Sequence, residues 1–514
     1  MTYKEDPEAY KSIVTDDSIN IEEKVNPAEF NKEGNQTHTY ESSVEIKKEM
    51  GNLAEDIDER TIKRIYRKLD FRLIPCLWLL YFCAFSAKSI ISVSLTMNFS
   101  QGDSLQQLVK LSSREVSIGL SLFYLGYVVF EVPSNMIMVY ITPRFLLSQT
   151  VMYIGITCIL HISISNSTEF YIFRFMLGFI EAGLWPGLAY YLTLYYPSYM
   201  IQKRILWYFT AAQISSMLVG FLSMGFQKIN GVANLQGYKW LFLTYGVFSI
   251  IAGTITMLTL PQLLTETPIT KEELQSSSPI VRIFKRIKKT TEKHFFEPYE
   301  KQYLLSKLSK KEPWSFYKFM LVFINPKIWL LIIMYFGSIG VGIAIQIYGS
   351  TIIQSIDSNI SDLTISLLYG CIWIANLAGA ILIISISNHY KSRVIPYIFC
   401  CTTVIIGMLV LTFSENTWTQ YAGLLISAFG IAPSVPICMA WCAHIFASQP
   451  NINVATSSAL LSSLGNLGSV FSTYALYKGM NGEDAFKKSN LVICVMMCVS
   501  ISACLIEKLL LKYY

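Results

Sequence analysis

The chain alternates long apolar runs with short polar breaks. A helix of about 20 apolar residues crosses the hydrocarbon core of a bilayer and satisfies its own backbone hydrogen bonds there. Such runs fall at 71–95, 116–140, 145–165, 169–195, 204–228 and 238–260, and again at 328–350, 362–386, 393–413, 418–447, 453–477 and 489–511. The pattern predicts an all-α membrane protein with twelve transmembrane helices in two six-helix halves. Residues 1–70 read as a cytosolic, largely disordered tail rich in Glu, Lys, Asn and Ser. Within it, EDIDERTIKRIYRK at 55–68 predicts a short solvated helix beside the membrane. Residues 71–260 make the first half, 261–327 a cytosolic central loop and 328–514 the second half.

Composition agrees with this reading. The chain is 53% hydrophobic and only 15% charged, against about 25% charged in a typical soluble domain. A net charge of +6 gives no reason to expect a nucleic-acid partner. The first apolar stretch begins near Phe71, without a signal-peptide pattern, so the first span is expected to direct insertion. Arg144, Lys203, Arg204, the central loop, Lys391 and Arg393 would share one side of the membrane, while loops 166–168 and 351–361 hold no Lys or Arg. By the positive-inside rule this places both termini in the cytosol. Lys110, Arg114, Lys228, Lys239, Lys478, Lys487 and Lys488 run against the rule. The sequons at Asn98, Asn166 and Asn359 would then face outward. In the central loop, VRIFKRIKKTTEKH reads either as a basic helix held on anionic lipid or as a solvated linker.

Several chemistries lack their motif. No GxxxxGK[ST] loop suggests ATP-driven pumping, no TVGYG-like filter suggests a channel, and no nucleophile–base constellation suggests an enzyme. The eleven cysteines sit mostly in apolar runs and show no metal-ligand spacing, so neither metal nor cofactor is expected.

The charges inside the apolar runs carry the functional reading. A charged side chain at the bilayer centre costs roughly 2.5–3.5 kcal/mol on insertion scales, so one that persists there marks a polar cavity or a partner. The fourth run, FYIFRFMLGFIEAGLWPGLAYYLTLYY, places Arg174, Gly178 and Glu181 on one helix face. Arg174 is always charged. It would bind a carboxylate or sulfonate and set the proton affinity of a nearby acid, or else serve as a packing ion pair. Glu181 would carry a proton, or be held by Arg174 or a neighbouring span. Lys88, late in the first run, would meet an anion in a cavity or snorkel to the surface. Glu131 reads as a structural partner near Arg144, with proton coupling as the alternative. Gly183, Pro186 and Gly187 would let the fourth span bend. The second half offers polar and aromatic candidates instead: Gln346, Trp373 and Asn376 for substrate contact, then Tyr348, Trp441 and Asn466. His389 and His444 are candidate proton shuttles.

RFMLGFIEAG resembles the RxxxG-type fourth-helix motif of proton-coupled members of the major facilitator superfamily. More narrowly, RFMLGFIEAGLWPGLAYYLTLYYP, QKRILWYFTAAQ, GYKWLFLTYGVFSIIAGTITMLTLP, PSNMIMVYITPR and INPKIW resemble the fungal allantoate permease group of anion:cation symporters. The likeness covers roughly 62–511 and is strongest over 119–261. It departs where the group has an Asp-Arg pair late in the first span, here Ala87-Lys88, and where it has an Asp-Arg turn, here Asn388-His389. The loop motif between the second and third spans is reduced to Thr142-Pro143-Arg144. The resemblance implies proton-coupled uptake of a small organic anion (carboxylate, ureide, vitamin or sulfur-containing) across the plasma membrane by a monomeric unit. Arg174 and Lys88 would bind the anion, and Glu181 with Arg174 would handle the proton. An exporter of anions or drugs, and a nutrient transceptor that signals through its tail, are the alternative readings.

Overall fold

The computed structural model describes residues 59–140, 143–261, 322–357, 360–390, 393–446, 451–477 and 484–513, with 300, 303, 304 and 320 from the central insert. Most of the tail, most of the insert and the Asn359 sequon lie outside the described residues. So do the side chains of Asn388 and His389.

The first six spans are α1 (Glu59–Ser94), α2 (Ser113–Tyr140), α3 (Pro143–Leu160), the pair α4 (Ser167–Glu181) and α5 (Leu184–Thr193), α6 (Ser198–Lys228) and α7 (Gly237–Thr259). The last six are α8 (Pro326–Ile356), α9 (Asp362–Tyr390), α10 (Val394–Phe413), the pair α11 (Thr417–Ile431) and α12 (Ser434–Ile445), the pair α13 (Asn451–Gly465) and α14 (Leu467–Ala475), and α15 (Ala485–Tyr513). Ten of these segments are apolar and long enough to span a bilayer. The second (α2) and the eleventh (α13 with α14) complete a layout of twelve. The elements match the apolar runs closely, with one correction at the start. The described part of the expected solvated helix is the first turns of α1 itself, because Ile65, Leu69, Leu73 and Leu77 continue one buried stripe at four-residue spacing.

Three helix starts are set by asparagine caps. Asn166 Oδ1 accepts from Glu169 N at 2.9 Å, Asn325 Oδ1 from Lys327 N at 3.1 Å, and Asn416 Oδ1 from Trp418 N at 2.9 Å. The Asn166 side-chain oxygen thus serves the cap, while the Asn98 side chain is buried and its Nδ2 donates to Gln227 O at 3.3 Å.

The fourth and tenth spans are built alike. Each begins on an Asn cap and breaks near its middle, at Ala182–Gly183 in one and Ala432–Pro433 in the other. The eleventh span also breaks, at Asn466. Within the halves α2 packs on α4, α3 on α7, α10 on α11 and α8 on α15. Between them α6 meets α9, and α2 meets α13 and α14.

Here the basal end denotes the end where α1 begins, and the distal end the other. Several hydrogen bonds between described residues join the halves at the distal end, four of them as follows. Ser350 Oγ donates to Ser92 O (2.8 Å), Gln227 Nε2 to Ser366 Oγ (2.6 Å), Ser100 N to Asp362 Oδ2 (2.9 Å), and Arg114 to the Tyr474 hydroxyl. At the basal end, Arg204 grips both oxygens of Asp70 within the first half, at 2.6 and 2.8 Å, and its guanidinium lies 3.9 Å from the Tyr196 ring centre. Lys68 reaches Glu300 of the insert at 2.8 Å.

Candidate functional site: a charged cavity between the halves

A cavity of about 100 Å³ lies at the centre of the bundle and is lined from both halves. Charge enters it from the first half alone. Lys88 Nζ and Glu181 Oε1 form an ion pair at 2.6 Å, with side chains 11% and 3% exposed. The break after Glu181 explains the position of the acid. α4 ends on Glu181, and a side chain at Gly183 would collide with Ser134 of α2, so only glycine lets the chain turn there against α2. Pro186 then sits in the first turn of α5, where a missing N–H costs little. Gly187 packs on Met138 and Leu147.

Lys88 does not snorkel. Its ammonium is buried, faces the cavity and lies 5.2–5.7 Å from the ring centres of Tyr127, Phe85 and Phe123. Of the partners considered for Glu181, the structure selects Lys88. Glu181 Oε2 is buried with no hydrogen-bond partner among the described residues.

Arg174 is placed differently from the expectation. It is 1% exposed, but it turns away from the cavity wall into the α2–α4 interface, where its guanidinium lies 4.8 Å from the Phe123 ring centre. The cause is Gly178, one turn along α4, which lets the Phe123 carbonyl approach so closely that a Cβ there would overlap it. Arg174 Nε and Nη2 have no hydrogen-bond partner among the described residues. Arg174 and Glu181 do share a buried face, as the spacing predicts.

From the second half, Gln346, Trp373, Asn376 and Asn466 line the cavity. Gln346 Nε2 donates to Ser89 Oγ of the first half at 3.0 Å, and its Oε1 has no partner among the described residues. Asn376 is anchored by its Nδ2 donating to Ala428 O at 3.0 Å. Tyr348 is turned away, donating to Thr473 O at 2.6 Å, and Trp441 is buried outside the cavity. Glu131 is buried on α2, where it accepts from Ser462 Oγ across the halves at 2.7 Å. Arg144 is buried at the start of α3, and His444 is exposed.

The sequence reading missed the aromatic wall. Tyr81, Trp185 and Phe209 face the cavity with ring centres 5.2–6.3 Å apart, and Phe85 meets Trp373 at 6.2 Å. Offset and edge-on ring pairs at such distances make a rigid apolar surface. It also missed His161, whose ring is buried and stacked on Phe242 at 5.2 Å, with Nδ1 2.7 Å from Thr157 O. Among the described residues no cluster of His, Cys, Asp and Glu could hold a metal ion. The arrangement therefore offers one cation, one acid, an amide oxygen and a ring-lined wall to a small solute.

The model of the Major Facilitator Superfamily matches residues 77–473. The chain belongs to that superfamily. It is 38% identical over 88% of its length to "Vitamin H transporter 1" of Schizosaccharomyces pombe, covering 81% of that protein. It is 25% identical over 79% of its length to a "Putative tartrate transporter" of Agrobacterium vitis, covering 86% of it. The crystal structure of a D-xylose-proton symporter superposes with a TM-score of 0.60 at 14% identity, over 85% of this chain and 97% of that one, a likeness of fold alone. Superfamily and relatives are transporters of small solutes, not enzymes, and the chain is a multi-pass membrane protein of that kind.

Proposed function

We propose that the chain imports a small organic anion together with a proton, as a monomeric plasma-membrane carrier of the allantoate permease-like group with its basal end in the cytosol. The observation that supports this reading is the Lys88–Glu181 pair in the cavity wall. A solute carboxylate arriving at Lys88 competes with Glu181 for one ammonium. Two carboxylates crowded on one cation repel, and a proton on Glu181 removes the repulsion. Anion and proton then load together and leave together. The solute's apolar body rests on Tyr81, Trp185 and Phe209, and Gln346 Oε1 accepts from a donor on it. Arg174 contributes as a fixed positive charge behind Phe123, on the same face of α4 as Glu181. The distal bonds close one mouth of the cavity. The relatives named for vitamin H and tartrate support a small organic solute.

The test is uptake of labelled vitamin H, tartrate, a ureide and a sulfonate by a host lacking its own organic-anion permeases, over a pH series. Uptake of at least one anion should rise as the outer solution is acidified, and Lys88→Met should abolish it while the protein still reaches the membrane. Accumulation that ignores pH contradicts proton coupling. Net proton-driven efflux in inverted vesicles replaces import with export.

A further inference from the structure

The eleventh span holds a feature that the loading step above does not use. Below its break, Ser462 Oγ of α13 donates to Glu131 Oε1 of α2 at 2.7 Å, joining residues 331 apart and in opposite halves. Both residues are buried, at 1% and 2% exposure. The four bonds described at the distal end tie the same two halves at their other extremity, so this bond lies on the side of the seam that must part if the cavity is to open basally. The break itself is at Asn466, between α13 and α14. Asn466 is one helical turn from Ser462, its Nδ2 is 3.5 Å from Ser462 Oγ, and it lines the cavity. Gly465 beside it packs its backbone against the Tyr335 ring, another cavity residue, where a Cβ would clash. A contiguous row therefore runs from the cavity through Asn466 and Ser462 to Glu131, and it crosses the one-residue interruption between α13 and α14, where Asn466 N still donates to Ser462 O at 2.9 Å. Interrupted helices at a central site are places where a span can swing with little loss of backbone bonding.

We propose that Glu131 and Ser462 form an inter-half latch, and that Asn466, at the break of the eleventh span, connects the latch to the cavity. A solute that engages Asn466 displaces the turn carrying Ser462 and frees the hydroxyl from Glu131, so the basal halves of α2 and α13 separate. Glu131 is a positioning residue in this account and touches no solute. The inference does not depend on which solute is carried or on proton coupling.

Hydrogen–deuterium exchange on the purified full-length protein tests it without any solute. Losing one such buried hydrogen bond changes a local opening constant by up to roughly tenfold. Glu131→Ala should therefore raise exchange of the α13 peptide containing Ser462 about tenfold, and Ser462→Ala should do the same to the α2 peptide containing Glu131. The double variant should be no faster than either single one, and peptides around Ser92, Gln227 and Ser366 should not change. Glu131→Gln, which keeps an acceptor oxygen, should stay within about threefold of the parent. Ser462→Ala, a small truncation, keeps the test open if Glu131→Ala does not fold. Exchange that changes only on the mutated helix, or single effects that multiply in the double variant, overturns the latch.

Discussion

Removing Lys88 is the most informative single perturbation of the cavity. The ammonium and the Glu181 carboxylate are 2.6 Å apart and almost fully buried. At an effective dielectric of about 20 their attraction is roughly 6 kcal/mol before any desolvation is counted. Taking both ions out of water offsets much of that, so the pair as a whole contributes little net stability. Its halves are not independent, however. Lys88→Met leaves a buried carboxylate whose other oxygen already has no hydrogen-bond partner among the described residues. The expected cost is about 3–5 kcal/mol. Lys88→Met combined with Glu181→Gln removes both charges at nearly constant volume and should return to within about 1 kcal/mol of the parent. Equilibrium unfolding of the purified full chain in detergent reads both values and closes a double-mutant cycle. A coupling energy of about 3 kcal/mol is expected. Costs that simply add, or a Lys88→Met variant as stable as the parent, would refute the pairing and the cavity chemistry built on it.

Three other outcomes are expected. Gly178→Ala places a methyl group against the Phe123 carbonyl; overpacking of this kind costs roughly 1–3 kcal/mol, and thermal unfolding in detergent should show the loss while Gly225→Ala, with open space around it, should not. Trp185→Ala or Phe209→Ala opens the aromatic wall; ring pairs contribute about 0.5–1.5 kcal/mol each, so the half-saturating concentration for a solute with an apolar body should rise about two- to tenfold in uptake assays with little change for a compact one. Arg204→Met breaks the bidentate contact to part-exposed Asp70; the expected cost is only about 1 kcal/mol, measured by unfolding, and a large loss would mean the contact has a role beyond the first half.

The twelve spans are legible because hydropathy and helix length are properties of local stretches, and even the fourth-span break shows in Gly183 and Pro186. What stays hidden depends on how helices are rotated against one another. The spacing puts Arg174 and Glu181 on one face of α4, but it does not say that Gly178 seats the Phe123 carbonyl and so draws the guanidinium onto α2. Lys88 could be read as a surface or a cavity residue; only its meeting with Glu181 in the folded bundle decides. Ser462 is one of many serines in its stretch, and nothing in the sequence joins it to Glu131. The aromatic wall escaped notice because Tyr81, Trp185 and Phe209 come from three separate spans, each of which is aromatic throughout.

In the proposed mechanism solute and proton meet at one ion pair. Its most direct test is paired flux in proteoliposomes, with labelled solute and internal pH followed together for the parent and for Glu181→Gln. The parent should move protons inward with the anion and accumulate it down an imposed pH gradient. Glu181→Gln should still exchange internal for external anion but show neither proton movement nor pH-driven accumulation. A Glu181→Gln protein that accumulates the anion as the parent does, with the same proton movement, would contradict the account.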